Sequence, residues 1–366
     1  MHVGKDSAIC PKLEVHGTRM HTIKHEKYLG DILSSDGKND MNIQNRVAKG
    51  IGNVTKVMNM LEKVTLGSHY FETAMLLRNS IVISALLTNA ESWHGITIQQ
   101  VNKLESVDKL LLRKILKTPV STPSESLYLE LGILRIGTII KARRINFLHY
   151  LLNRKETEMI YQIFSVQWKQ PTKNDWTNSV KQDLQDFKIE INLSNIKKKS
   201  AITFKNLVKK KAYEFEYNQL MKTKQTHSKM SSLNYTKLEI QNYLKLGKLN
   251  TAEAQTLFRY RVRMANYGEN FRGKANAVLC PLCNTHLDNQ KMCFENCPVL
   301  KKHILITGNY EQIFDEFVAS ETVKILMKID KVREESSNIL SRNEANSTRK
   351  HIGLMGASDN VNYQNC

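Results

Sequence analysis

Between Asp40 and Leu116 apolar residues recur every three or four positions, and that period constrains the fold more than any other feature. Ile43, Val47, Ile51, Val54, Met58 and Leu61 form one stripe, which predicts a helix with that face inward. Arg46, Lys49 and Lys56 fall elsewhere around it. After Gly67 and Ser68 comes a more uniformly apolar helix, Phe71 to Leu87, which reads as the buried member. A third helix runs from about Ile98 to Leu116, with Val101, Leu104, Leu111 and Ile115 inward. Three helices on short loops predict an antiparallel bundle. Thr118-Pro119 and Thr122-Pro123 end it and force an extended connector.

The helical pattern continues. A further pair covers roughly 137–166, and its Lys141, Arg143, Arg144 and Arg154 read as a solvated basic face. The period weakens from Pro171 to Trp176, where a boundary is expected. Asn250 and Glu253 have capping-box spacing at the head of a helix carrying Leu257, Phe258 and Met264. On that helix Arg259 and Arg263 share a face, with Arg261 rotated away. One more amphipathic helix is expected from Tyr310 to Ile329. From about Glu334 the chain is polar and aperiodic, which predicts disorder and leaves Cys366 an unpaired thiol.

Ahead of the helices the chain reads as strands. Met1 to Lys5 alternates, Leu13 to Val15 leads to a turn at His16-Gly17, and Lys27 to Leu33 ends in the turn Ser34 to Gly37. These are too few strands for an independent sheet. The expected architecture is therefore mostly α, with a short N-terminal β segment, a three-helix bundle, further helices and a small C-terminal zinc knuckle. The corresponding divisions are 1–37, 38–170, 171–274, 275–332 and 333–366.

Four of the six cysteines lie between Cys280 and Cys297, as the pairs Cys280/Cys283 and Cys293/Cys297. A Cys-x-x-Cys turn offers two thiolates to one tetrahedral ion, and the second pair completes four ligands of a structural zinc site. His286 and His303 are alternative ligands should one cysteine not serve. Disulfides fit poorly, because nothing else in the chain reads as secreted: the N-terminus has no basic-then-apolar leader. Clustered cysteines point instead to a reducing setting inside the cell, nuclear or cytoplasmic. The sequence holds no apolar run of about 18 residues, which excludes a spanning helix.

A formal charge of +19 points to a polyanionic partner, with an anionic membrane surface as the competitor. Lys197 to Lys274 concentrates it, with 18 Lys and Arg against 5 Asp and Glu. Lys197, Lys198 and Lys199 and then Lys209, Lys210 and Lys211 are its densest points; Arg259, Arg261, Arg263, Arg272 and Lys274 complete the candidate contacts to RNA or DNA. Tyr213, Phe215, Tyr217, Tyr235 and Tyr243 are interleaved, most of them as the apolar face of helices, some as stacking platforms. Phosphate-loop and serine-hydrolase motifs are absent. His94 reads as a packing or capping residue, and Glu91 and Asp108 as ordinary surface or capping charges.

Taken in order, these features resemble the C-terminal part of a non-LTR retrotransposon reverse transcriptase. The motifs are the strand at Met1 to Lys5, Lys27-Tyr28-Leu29-Gly30 with Ser35-Asp36-Gly37, the bundle, Leu127 to Gly132, Arg259 to Met264, and the cysteine knuckle. The resemblance spans about residues 1–332. It implies that residues 1–35 correspond to the end of a palm, with Lys27, Tyr28, Leu29 and Gly30 in a primer-grip hairpin. Residues 40–116 would be the thumb, and the remainder a nucleic-acid-binding region.

Two departures stand out. The family's paired aspartates, which hold two catalytic metal ions, have no counterpart, since no Asp-Asp pair occurs in the chain. Its knuckle uses Cys-Cys-His-Cys ligands, whereas Cys293 stands at the histidine's place. The expectation is a truncated, retroelement-derived protein that binds nucleic acid and does not extend a primer by itself. Two alternatives stand beside it. One is the C-terminal piece of an intact RNA-directed DNA polymerase whose palm is encoded upstream; the other is a zinc-stapled scaffold for protein partners.

Overall fold

The computed structural model describes residues 14–19, 23–28, 30–63, 69–172, 175–230, 233–245, 249–270, 279–303 and 323–336. It is mostly helical, with short antiparallel β-hairpins at the N-terminal end. Two compact units divide the chain, Met1–Gly247 and Lys248–Cys366. Leu29, Arg272, Lys274, the segment Met1 to Lys5 and Cys366 lie outside the described residues.

Strands β1 (Glu14–Val15) and β2 (Thr18–Arg19) pair across the turn at His16 and Gly17, both with positive φ. The Lys27 to Leu33 segment, expected as one strand, is a hairpin of β3 (His25–Tyr28) and β4 (Asp31–Ser34). Gly30, at φ +92°, lets the chain double back there. Lys27 and Tyr28 are exposed on β3.

Three helical segments form the expected bundle: α1 (Asp40–Lys63), a stretch beginning as α2 (Tyr70–Leu77) and ending as α3 (Ser84–Leu86), and α4 (Ile98–Ile115). Between α2 and α3, Arg78–Ile83 takes the wider π geometry. The inner face of α1 is rotated from the expected stripe. Ile43, Arg46, Gly50, Val54, Val57 and Leu61 are buried, whereas Ile51 is exposed. Two residues turn it. Arg46 bonds Asn42, Asp31 and the carbonyl of Ala85 and lies over the Trp93 ring. Gly50 lets the helices close up, since a Cβ there would stand 2.7 Å from Leu86 Cδ2. Thr97 and Gln100 close a capping box on α4.

Asp108 of α4 is fully buried and takes two 2.7 Å hydrogen bonds from Arg78, so it is a core ion pair and not the surface charge expected. Helix α5 (Ser124–Leu131) follows, then α6 (Ile136–Leu152), α7 (Met159–Lys169), α8 (Trp176–Asp186), α9 (Leu193–Lys198) and α10 (Ala201–Gln225). One apolar core runs from Ile145 on α6 through Phe164, Trp176 and Phe187 to Ala212 on α10. It crosses the boundary expected near 171, because Trp176 packs on Phe147 and Phe164 and donates to the Glu91 carbonyl.

The basic face expected over 137–166 is not a solvated one. Arg144 is buried with two bonds to Asp183, Lys141 pairs with Asp186, Arg143 donates to the Leu87 carbonyl, and Arg154 lies over Tyr150. Burial holds the Asp183 carboxyl above its usual range in spite of the bonds from Arg144.

Residues 233–245 strap across α5. Tyr235 and Tyr243 each donate to a carboxylate oxygen of buried Glu130, at 2.7 and 2.8 Å, and the Gln241 amide donates to its carbonyl at 2.9 Å. Gly132, at φ +62°, admits the strap: a Cβ there would lie 2.1 Å from the Ile240 nitrogen.

In the second unit α11 (Thr251–Arg261) carries the expected Asn250/Glu253 capping box. Helices α12 (Gln290–Asn296) and α13 (Pro298–His303) follow the cysteine turn. A last helix, α14, covers 323–336, with Val323, Leu326 and Ile329 buried. The disorder expected from residue 333 is therefore wrong for 333–336; residues 337–366 are outside the described chain.

Candidate metal centre and basic surface

The cysteine segment folds as a turn followed by a helix. Leu279 and Leu287 bridge antiparallel, the Cys280 amide donates to the His286 carbonyl at 2.7 Å, and Asn284 takes a positive φ to close the turn. Cys280 and Cys283 lie on this knuckle. Asn289 caps α12 through its side chain, and α12 carries Cys293, with Cys297 the extended residue that follows it. The ligating atoms of Cys280, Cys283 and Cys297 lie within 4.8 Å of one another, as do those of Cys280, Cys293 and Asp288. A tetrahedral zinc with sulfurs at about 2.3 Å would space them about 3.8 Å apart, so small movements would close either set. All four cysteines are free thiols. His286 belongs to neither group, and the side chain of His303 is outside the described residues.

The thiols are electrostatically unequal. Cys280 accepts from Cys293 and from the amides of Leu282 and Cys283, which brings it down to about 5; burial opposes this. Cys293, donor in that bond and buried, is held well above the thiol range. Burial also resists ionisation of Cys283, but bonds from Thr285 and the His286 amide outweigh it and lower that thiol. Burial pushes Cys297 up to about 11.

Two residues of the site were not legible as such. Asp288 is buried 3.7 Å from Cys293 Sγ. Arg333 of α14 reaches both Asp288 oxygens at 2.7 and 2.9 Å, stands 4.0 Å from the sulfurs of Cys280 and Cys293, and covers the Tyr267 ring. A guanidinium beside two sulfurs favours thiolates. Asp288 also accepts from the Gly268 amide, at 2.6 Å. An acidic residue between the cysteine pairs was visible in the sequence, but nothing there tied Arg333 to it.

The candidate nucleic-acid contacts divide. Lys197, Lys198, Lys199, Lys209 and Lys210 are exposed and Lys211 half-buried, on α9, on α10 and at Lys199 just after α9. Lys210 and Lys211 face Glu214, Lys211 at 2.9 Å. Arg261 is 3% exposed, so its guanidinium is not a surface group. Arg259 lies half-buried 3.7 Å from Asp330. Helix α11 ends at Arg261 and Arg263 follows at φ 51°, so the expected i,i+4 face of Arg259 and Arg263 does not form. Of the interleaved aromatics, Tyr235 and Tyr243 are committed to Glu130, Phe215 packs on Phe187, and Tyr217 donates to the Tyr235 carbonyl. No helix among the described residues is long and apolar enough to cross a membrane.

In comparisons with known proteins, no family model, no curated protein and no solved structure matches this chain.

Proposed function

We propose that this protein binds RNA or DNA through phosphate contacts made by the lysines of α9 and α10, and that zinc, held by Cys280, Cys283, Cys293 and Cys297, staples its second unit. The observation that carries the reading is the lysine surface. Lys197, Lys198, Lys199 and Lys209 are exposed, and none has a carboxylate partner among the described residues. Charges left in water on two successive helices suit a phosphate backbone, whose contacts release counterions. The donor set suits zinc, since thiols are its preferred soft ligands and their convergence needs little rearrangement. The ion would supply local folding energy and no catalysis, as a four-thiolate site leaves no open position.

The ordered likeness to the palm end, thumb and knuckle of a non-LTR reverse transcriptase supports the same reading.

Fluorescence anisotropy with a labelled oligonucleotide tests it. Affinity should fall with salt, at a slope of about −0.7 to −0.9 per phosphate contact, and neutralising Lys209, Lys210 and Lys211 together should flatten that slope. Binding that is absent at low salt, or indifferent to salt, would overturn the reading in favour of a scaffold for protein partners.

A further inference from the structure

The two lysine runs, separate in sequence, meet at one cavity. A pocket of about 500 Å³ is lined by Lys198 and Lys199 from the end of α9, Lys211 from α10, and Lys188 from the α8–α9 connection. Its apolar wall includes Ile196 and Phe204, both nearly inaccessible to solvent. Glu190 is the one carboxylate in the lining, and Glu214 sits beside it on Lys211. Lys198 and Lys199 make no ion pair with a carboxylate among the described residues, and neither does Lys188, although it lies near enough to Glu214 to act on its charge. The hydrogen bond from Lys211 holds Glu214 below its usual range, and the nearby positive charges of Lys211, Lys210 and Lys188 add to it.

Lys188 is the unexpected member. It ends α8 at φ 54°, with its amide bonded to the Gln185 carbonyl and that of Ile189 to Leu184, the two bonds of a helix-closing motif that normally takes glycine there. A lysine at that position costs stability and supplies the fourth ammonium of the pocket.

We propose that this pocket is an anion site that grips two or more linked phosphates. Resting on the nucleic-acid reading, the phosphates are assigned to consecutive nucleotides of a bound strand. Four ammonium groups exceed what a single phosphate requires. Lysines, being point charges without a planar fork, suit phosphates presented in variable geometry better than a paired carboxylate. The apolar wall excludes water on one side, which strengthens each charge interaction. A free polyphosphate offers the same chemistry, so the test must separate the two sources.

The full-length chain should be titrated with a single-stranded oligonucleotide and, separately, with inorganic tripolyphosphate as competitor. The pocket variant is Lys188→Gln/Lys199→Gln; Lys49→Gln/Lys56→Gln, on the exposed side of α1, removes equal charge elsewhere. We expect the pocket variant to lower the salt slope by about 1.4, two contacts at about 0.7 each, and the control to change it by less than half of that. Tripolyphosphate should displace the oligonucleotide from wild type at least tenfold more effectively than from the pocket variant. Lys188→Gly removes one charge at a position that favours glycine, so weaker binding with an unchanged or higher Tm excludes misfolding as the cause. Equal slopes for pocket and control variants overturn the pocket while the nucleic-acid reading stands. If wild type binds no oligonucleotide at low salt, that reading fails; retained, lysine-dependent tripolyphosphate binding would then reassign the pocket to a free polyphosphate and overturn the strand assignment.

Discussion

Arg333 and Asp288, 45 residues apart, form a buried two-bond ion pair at 2.7 and 2.9 Å beside the sulfurs of Cys280 and Cys293. The pair joins the last described helix to the cysteine turn. It explains why 333–336 is helical where the composition alone reads as tail: the guanidinium has an acid, a carbonyl at Asn266 and the Tyr267 ring to hold it. We expect Arg333→Met to weaken zinc binding tenfold to a hundredfold, the range for lost support of a ligand shell. Asp288→Asn should act in the same direction. In the same assay, Cys283→Ser should abolish stoichiometric zinc. Native mass spectrometry and competition with a chelator measure both. A folded, metal-free second unit would contradict the assignment.

Asp108→Ala should destabilise the first unit by about 3 to 5 kcal/mol, because it strands the buried Arg78 guanidinium. The double change Arg78→Met/Asp108→Leu should recover much of that loss, since no charge is then left buried. Urea melts of the three proteins decide it. A loss below about 1 kcal/mol for Asp108→Ala would mean that the pair is solvated in practice.

Gly132→Ala combines a positive φ with a Cβ driven into the backbone of Glu239 and Ile240. The expected cost is at least about 2 kcal/mol. Its signature should be local: the Gln241 amide, bonded to the Glu130 carbonyl, should lose hydrogen-exchange protection before the bundle does. Uniform loss of protection throughout the first unit would show that the strap and bundle unfold together.

The docking of β4 on α1 should depend on pH through Asp31. Burial raises its pKa, but hydrogen bonds from Asn89, Arg46 and Asn42 outweigh that and hold it below the ordinary 3.8. Its stabilising contribution is therefore present above the unfolded pKa and is lost as pH falls through the folded one. Asp31→Asn should lower Tm at pH 7, and its melting curve should converge with wild type only as pH falls below 3.8 through the lowered folded-state pKa. A Tm difference that persists unchanged in acid would assign the effect to packing.

By itself the sequence determined the helical class, the approximate extents of α1 and α4, the α11 capping box and the gathering of four thiols. Each of these depends on residues within a few turns of one another: apolar period, cap spacing and the Cys-x-x-Cys turn act locally. Tertiary structure alone decided what depends on distant partners. Arg46 displaces Val47 from the inner face of α1 because Asp31 and Ala85 arrive from other elements. Charges that look like surface residues, Asp108 and Arg144, become core pairs because Arg78 and Asp183 meet them at separations of 30 and 39 residues. Lys188 joins Lys198, Lys199 and Lys211 only because α8, α9 and α10 share one apolar core. A charge's neighbours in sequence show its sign and period; burial and partner, which set its energy, are properties of the packed chain.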